Sequence, residues 1–190
     1  MKKILVVLML LCLCACTKTD KKQEEVLSEN VLKAQIVIKD YGTVDVELYP
    51  DIAPVTVENF VNLVNEGFYD GNCFHRIMDG FMIQGGMDTE GKVAKIKGEF
   101  SDNGFKNDLK HTEGVLSMAR TPDPDSATSQ FFIMVGDGNW LDGSYAAFGK
   151  VTNGLEIVKQ IAKDAKPIDD NGSIAAEDRP VIESIRMINE

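Results

Sequence analysis

Phe74-His75-Arg76-Ile77, then Gly80-Phe81-Met82-Ile83-Gln84-Gly85-Gly86, and further along Ser129-Gln130-Phe131-Phe132 are the stretches on which the fold and the chemistry of this chain turn. They set one arginine and two glutamines among aromatic and thioether side chains. That combination suits a site that grips a small apolar group while hydrogen-bonding the backbone around it. Taken singly the residues say less, since Phe and Met are usually core, and an Arg among apolar neighbours is more often a snorkelling surface residue.

The segments around these stretches show how the chain is organised. Ala34, Ile36 and Ile38 alternate with polar residues, as do Val44, Val46 and Leu48 beyond Asp40-Tyr41-Gly42-Thr43, which predicts a β-hairpin. Pro54 suits the first turn of a helix, Val57, Phe60, Val61 and Val64 give it one apolar stripe, and Gly67 ends it. From Phe68 to Val151 the chain is glycine-rich, with apolar bursts at Gly114 to Met118, Phe131 to Val135 and Ala146 to Val151 that predict strands of a sandwich or barrel. Leu155, Val158, Ile161 and Ala162 predict a second helix, and Val181 to Ile188 a closing strand. A chain of 190 residues supports one domain with a sizeable core.

The N-terminus reads as an export signal. Lys2 and Lys3 precede an uncharged run from Ile4 to Leu13 that is short for a permanent membrane span. It ends in Leu13-Cys14-Ala15-Cys16, which resembles a bacterial lipobox, so residues 1–15 are expected to be a lipoprotein signal peptide and Cys16 the lipidated residue. A plain secretory signal and an uncleaved anchor are the alternatives. Several acyl chains on one cysteine, at roughly 0.8 kcal/mol per buried methylene, would hold a domain on a membrane better than one chain. Residues 16–32 are rich in Lys, Asp, Gln, Glu, Ser and Asn and read as a flexible tether, with the folded unit at 33–190. The expected location is the bacterial cell membrane, lipid-anchored and extracytoplasmic. Of the four cysteines only Cys73 lies beyond this N-terminal segment, which leaves no intramolecular disulfide in a processed chain.

The formal net charge is −10, and loss of the signal would remove two lysines and no acid. Nucleic acid is therefore not an expected partner, since it calls for a basic face. Metal binding is not expected either: His75 and His111 are the only histidines, and the acids lack ligand spacing. Asp169-Asp170-Asn171-Gly172-Ser173 has a superficial likeness to a calcium loop but lacks the alternating ligands and distal glutamate, and reads as a solvated turn. No Gly-x-Ser-x-Gly elbow, dinucleotide fingerprint or Walker loop is present, so neither a serine nucleophile nor a nucleotide is implied.

Five blocks, in order, resemble the cyclophilins, a family of peptidyl-prolyl cis-trans isomerases. They are Phe74 to Ile77, Gly80 to Gly86, Gly114-Val115-Leu116-Ser117-Met118-Ala119, Ser129 to Ile133, and Trp140-Leu141-Asp142-Gly143 through Phe148-Gly149. The resemblance covers about residues 33 to 190. It implies a mainly β fold, an eight-stranded antiparallel β-barrel capped by two α-helices, with a packed interior and a substrate groove on the outside. It implies that Arg76 is catalytic with Gln84 beside it. Phe81, Met82, Phe132 and Leu141 match the walls of the proline pocket, Gln130 the polar residues next to it, and Ala119 and Trp140 further groove positions, with His75 in the same substrate-binding set. Arg120 stands where many relatives have an asparagine that contacts the peptide backbone, and Tyr145 where many have a histidine at the rim. The loops Thr121 to Thr128 and Asp88 to Lys106 also differ from common forms. The implied partners are proline-containing unfolded or exported polypeptides and cyclosporin-like cyclic peptides. No cofactor is implied, and the expected state is a monomer that assists folding outside the cytoplasm. Cys73, beside the site, reads as a small buried core residue.

Overall fold

The alternation read from the sequence becomes a hairpin. In the computed structural model, which describes residues 28–188, β1 (Leu32–Ile38) and β2 (Gly42–Leu48) pair antiparallel, Ile36 opposite Val44, with every second side chain buried. Asp40 and Gly42 take positive φ values of 65° and 123° to make the tight turn between them. The strand starts at Leu32, and Ser28 and Asn30 ahead of it hydrogen-bond the Asp51 carboxylate, so ordered chain reaches past the expected boundary at Lys33. The signal, Cys16 and most of the tether lie outside the described residues. Within them, no helix is long and apolar enough to cross a membrane.

The remaining strands are β3 (Phe74–Met78), β4 (Met82–Gly85), β5 (Val115–Met118), β6 (Phe131–Met134), β7 (Ala147–Asn153) and β8 (Ile182–Ile188). All pair antiparallel in one sheet, ordered β3-β4-β6-β5-β7-β2-β1-β8. Register shifts in four of the pairs, β1 with β8, β2 with β7, β3 with β4 and β5 with β7, add local twist and curl the sheet. Among the described residues its two edges meet at a bridge between Cys73 and Val181, flanked by the Phe74 N–H to Pro180 carbonyl bond at 2.9 Å, the Gly71 N–H to Ile182 carbonyl bond at 2.9 Å and the Ile182 N–H to Asn72 carbonyl bond at 2.8 Å. Closure of the expected barrel thus rests on a short seam where the other strands have a ladder.

Two helices cover the ends. α1 (Pro54–Asn65) follows closely on the end of β2 and sends Phe60 into the core, where its ring meets Tyr69, Phe131 and Phe148 at centroid distances of 5.2 to 5.4 Å. α2 (Leu155–Asp164) buries Val158, Ile161 and Ala162, and its N-cap Gly154 packs against Thr43 and Val44 at the beginning of β2. The helices therefore stand at opposite ends of that strand.

The core has two parts. Ile83, Leu116, Phe131 and Ile133 face the interior with the β1 and β2 residues, whereas Met82, Val115, Phe132, Met134, Leu141 and Ala147 form a second cluster. Because side chains alternate along a strand, this second cluster lies on the opposite face of β4, β5 and β6. Both faces of β5 and β6 are buried, which explains why their sequences read as continuous apolar bursts instead of alternating.

Candidate active site

The second cluster is the floor of a cavity of about 290 Å³ lined by Arg76, Phe81, Met82, Gln84, Ala119, Arg120, Phe132, Leu141 and Tyr145. Most of the residues expected in the substrate-binding set thus converge on one site on the outside of the sheet. His75, Gln130 and Trp140 do not line it.

A bulge places the arginine. The β3–β4 register shifts between Phe74 and Arg76, so Phe74 and Ile77 point to the core while His75 and Arg76, adjacent in sequence, are both left outside it. Arg76 Nε donates to the Asn171 carbonyl at 2.7 Å, Nη1 to Gln84 Oε1 at 3.2 Å, and Nη2 reaches the Met78 sulfur at 3.3 Å. Gln84 Nε2 in turn donates to Gln130 Oε1 at 3.0 Å, which puts Gln130 behind the cavity as an orienting group. Asn171 belongs to the turn that resembled a calcium loop. Asp169 there accepts the Asn171 and Ser173 N–H groups, and these bonds, foremost Ser173, hold its carboxyl below the usual range. The turn acts as a backbone brace for Arg76, a role its sequence does not signal.

His75 instead borders a separate hollow with Cys73, Asn72 and Arg179. Burial, and then the positive charge of Arg179, lowers its pKa. Cys73, read as buried, is intermediate in exposure. Trp140 is 68% exposed on a short helical turn and leans on Phe81 at 5.4 Å with a 38° tilt, at the rim of the cavity.

The apolar wall is supported from beneath by residues that sequence reading did not single out. Phe132 stacks on His111 at 6.1 Å and meets Tyr145 edge-on at 6.0 Å. His111 Nδ1 lies 3.0 Å from Asp142 Oδ1, and Nε2 lies 2.9 Å from Ser117 Oγ. The pairing is that of a nucleophilic triad. Yet Ser117 and His111 are 0% and 1% exposed, so no substrate carbonyl can reach the hydroxyl, and the trio serves as a buttress. Arg120 is also braced: its guanidinium lies between Phe100 and Tyr145, at 5.0 and 4.7 Å from the ring centroids, and donates to the Ser144 and Thr121 carbonyls. Among the described residues no group of three or more His, Cys, Asp or Glu side chains is arranged to hold a metal ion.

The cavity therefore pairs a fixed guanidinium with an apolar hollow of side-chain size. A family model described as cyclophilin type peptidyl-prolyl cis-trans isomerase/CLD matches residues 33–188. A peptidyl-prolyl cis-trans isomerase of Acinetobacter baylyi is 47% identical over 131 residues, covering 64% of this chain and 67% of the relative. Peptidyl-prolyl cis-trans isomerase B of Escherichia coli is 42% identical over 130 residues, covering 64% of this chain and 79% of the relative. A Cryptosporidium parvum cyclophilin type peptidyl-prolyl cis-trans isomerase, solved in the presence of the dipeptide Ala-Pro, superposes with a TM-score of 0.71 at 28% identity, covering 83% of this chain and 99% of that one. Since the family match takes in almost all of the described domain, this chain belongs to the cyclophilin-type peptidyl-prolyl cis-trans isomerases.

Proposed function

We propose that the cavity holds the prolyl ring of an Xaa-Pro bond and that Arg76 stabilises the twisted imide. Rotation about an amide is resisted by a barrier of ~18 to 20 kcal/mol, because the nitrogen shares its lone pair with the carbonyl. At the twisted transition state that sharing is lost and the prolyl nitrogen becomes a localised acceptor. A donor aimed there stabilises the twisted form more than either planar isomer, which is differential binding of the transition state. Arg76 suits the task, since its guanidinium stays charged and has no proton to lose in the cycle.

Phe81, Met82, Phe132 and Leu141 would hold the ring while the preceding carbonyl swings, and Gln84 would orient both the arginine and that carbonyl. No covalent bond breaks, so the chemistry asks for no nucleophile or cofactor. Uncatalysed isomerisation takes roughly 10 to 100 s. Lowering the barrier by about 5 kcal/mol would shorten it to roughly tens of milliseconds or less. The observation that carries this reading is the Arg76 guanidinium fixed by Gln84 at the edge of an apolar cavity. The relative solved with Ala-Pro supports a prolyl peptide as occupant. The test is the isomerisation rate of a short Xaa-Pro peptide with the full chain in detergent. Binding of the peptide with an unchanged rate would make the chain a binding module instead.

The same proposal places the domain outside the cytoplasm on a lipidated Cys16, as a monomer acting on exported chains whose folding waits on proline. The lysine pair, apolar run and Leu13-Cys14-Ala15-Cys16 support that location. Mass spectrometry of the membrane-extracted protein should find acyl chains on a peptide beginning at Cys16, and Cys16→Ser should abolish them. Trp140 at the rim supports binding of cyclosporin-like cyclic peptides; no inhibition at micromolar concentration would remove that part of the proposal.

A further inference from the structure

The cavity contains a second guanidinium that the isomerisation chemistry does not use. Arg120 Nε and Nη2 both donate to the Ser144 carbonyl, at 2.9 and 2.8 Å, and Nη1 donates to the Thr121 carbonyl at 2.9 Å. With one N–H committed from each of the three nitrogens, two of its five remain. Its other partners are the faces of Phe100 and Tyr145. All of these are neutral, so they fix the position of the charge without cancelling it. The partners of Arg76 are neutral too: the Asn171 carbonyl, Gln84 and two thioethers. Among the described residues no carboxylate forms an ion pair with either guanidinium. In a chain of net charge −10, this cavity carries two uncompensated positive charges.

The surrounding carboxylates are spoken for. Asp102 accepts the Ser144 hydroxyl at 2.5 Å, Asp123 pairs with Lys95 at 3.6 Å, and Asp125 accepts the Gly98 N–H and the Asn103 amide. Their field opposes an incoming anion at long range, which confines any attraction to the immediate neighbourhood of the guanidinium. One positive charge serves the prolyl nitrogen. The other has a fixed direction and no task.

We propose that Arg120 is a specificity-determining residue that makes the site prefer peptides with an acidic side chain directly adjacent to the proline. This rests on the reading of the cavity as the prolyl site. A carboxylate beside the ring would meet the free N–H groups of a guanidinium already ordered by two carbonyls and two rings, so little side-chain entropy is lost on pairing. Burial against the aromatic faces weakens solvent screening relative to an exposed pair.

The test uses the full chain in detergent and end-blocked tetrapeptides that carry Glu or Gln immediately before proline, or immediately after it. For at least one of the two positions, kcat/KM should favour Glu over Gln by about five- to tenfold at low salt, with the ratio falling toward one at roughly 0.5 M salt. Arg120→Gln should bring the ratio to one or below, whatever it does to the absolute rate, and Arg120→Lys should keep part of it. A ratio near one in the wild type at both positions, or the same ratio in wild type and Arg120→Gln, would overturn the proposal. Should Arg120→Gln fail to fold, the salt dependence of the wild-type ratio and the Arg120→Lys ratio decide. Peptide affinity, followed through the single tryptophan, Trp140, separates this outcome from failure of the isomerase reading. If no peptide is accelerated, the Glu-to-Gln ratio of dissociation constants still tests Arg120.

Discussion

Arg76 and Gln84 sit opposite each other in the β3–β4 register, and the arginine Nη1 donates to the glutamine Oε1 at 3.2 Å. That bond fixes which way the Gln84 amide points, since its nitrogen then donates to Gln130 Oε1 at 3.0 Å. The result is a row of three side chains across β3, β4 and the start of β6, held by backbone pairing. On its other flank the guanidinium meets, among the described residues, the sulfur atoms of Met78 and Met82, at 3.3 and 4.0 Å. Thioether sulfur is a weak acceptor, so these donors can be given up to a substrate at small cost.

Arg76→Ala should lower kcat/KM by about two to three orders of magnitude, the loss typical for a donor aimed at transition-state charge. Gln84→Ala, which removes only the orienting partner, should cost about tenfold. Arg76→Lys should recover little, because an ammonium cannot hold the Asn171 carbonyl and Gln84 while also facing the cavity. Thermal unfolding of the three variants, read alongside peptide isomerisation, should stay within a few degrees of wild type. A normal turnover in Arg76→Ala would reject the assigned role.

Phe132→Ala tests the wall of the cavity. Phe132 is 5% exposed, between His111 below and Tyr145 beside it. Truncation should cost about 3 to 5 kcal/mol in denaturant unfolding and remove most prolyl affinity with it. Phe132→Leu, which retains much of the volume, should restore most of the stability but less of the activity. A leucine variant with full activity would show that ring shape is not what holds the substrate.

The fold was legible where periodicity was clean. Ile36, Ile38, Val44 and Val46 announced the β1–β2 hairpin, and Phe60 and Val64 announced α1, because each of these elements buries one face only. It was less legible in β5 and β6, whose two buried faces erase alternation. The site was legible through its motif blocks, because strand pairing brings Arg76, Gln84 and Phe132 together and the strand residues themselves form those blocks. What sequence could not show were the supports that come from elsewhere in the chain, such as the Asn171 carbonyl behind Arg76, Phe100 and Ser144 around Arg120, and Asp142 behind His111. A backbone carbonyl carries no residue-type signal. The bulge in β3 leaves Arg76 outside the core beside His75, where an alternation counted from the buried Phe74 would turn it inward.

Glu99 and Thr56 give opposite expectations at the same helix end. Glu99 is 1% exposed and accepts the Val55 and Thr56 N–H groups at 3.0 and 2.8 Å, which satisfies two donors that the first turn of α1 leaves without intrahelical partners. Glu99→Ala should destabilise by about 2 to 4 kcal/mol, because both N–H groups lose a charged acceptor in a buried setting. Thr56 is 0% exposed and its hydroxyl has no hydrogen-bond partner among the described residues. Thr56→Val, of similar shape, should therefore raise stability by about 1 kcal/mol. Denaturant titration of both variants reads the two signs directly, and a destabilised Thr56→Val would mean that the hydroxyl has a partner in solution.

His111 should make stability fall on mild acidification. Its Nδ1 and its backbone N–H both face Asp142 Oδ1, and in the neutral ring that donates from Nδ1 the other nitrogen, Nε2, accepts from the Ser117 hydroxyl. Burial lowers its pKa from 6.5 and outweighs the attraction of Asp142 for a positive charge, while burial and Arg179 lower that of His75 as well. Both groups therefore take up protons in the unfolded chain first. As pH drops below about 6.5 the unfolded state binds more protons, so unfolding free energy should decrease by up to about 1.4 kcal/mol per pH unit for each histidine until the folded pKa is passed. Above that range the contribution is fully present. Carboxylates titrate at lower pH and the loss of overall negative charge is shared by every variant, so the informative quantity is the slope of wild type against that of His111→Asn between pH 7.5 and 5.5. The variant should be less stable at neutral pH yet flatter across the window, and parallel slopes would show that His111 takes up its proton as readily in the folded protein as in the unfolded one.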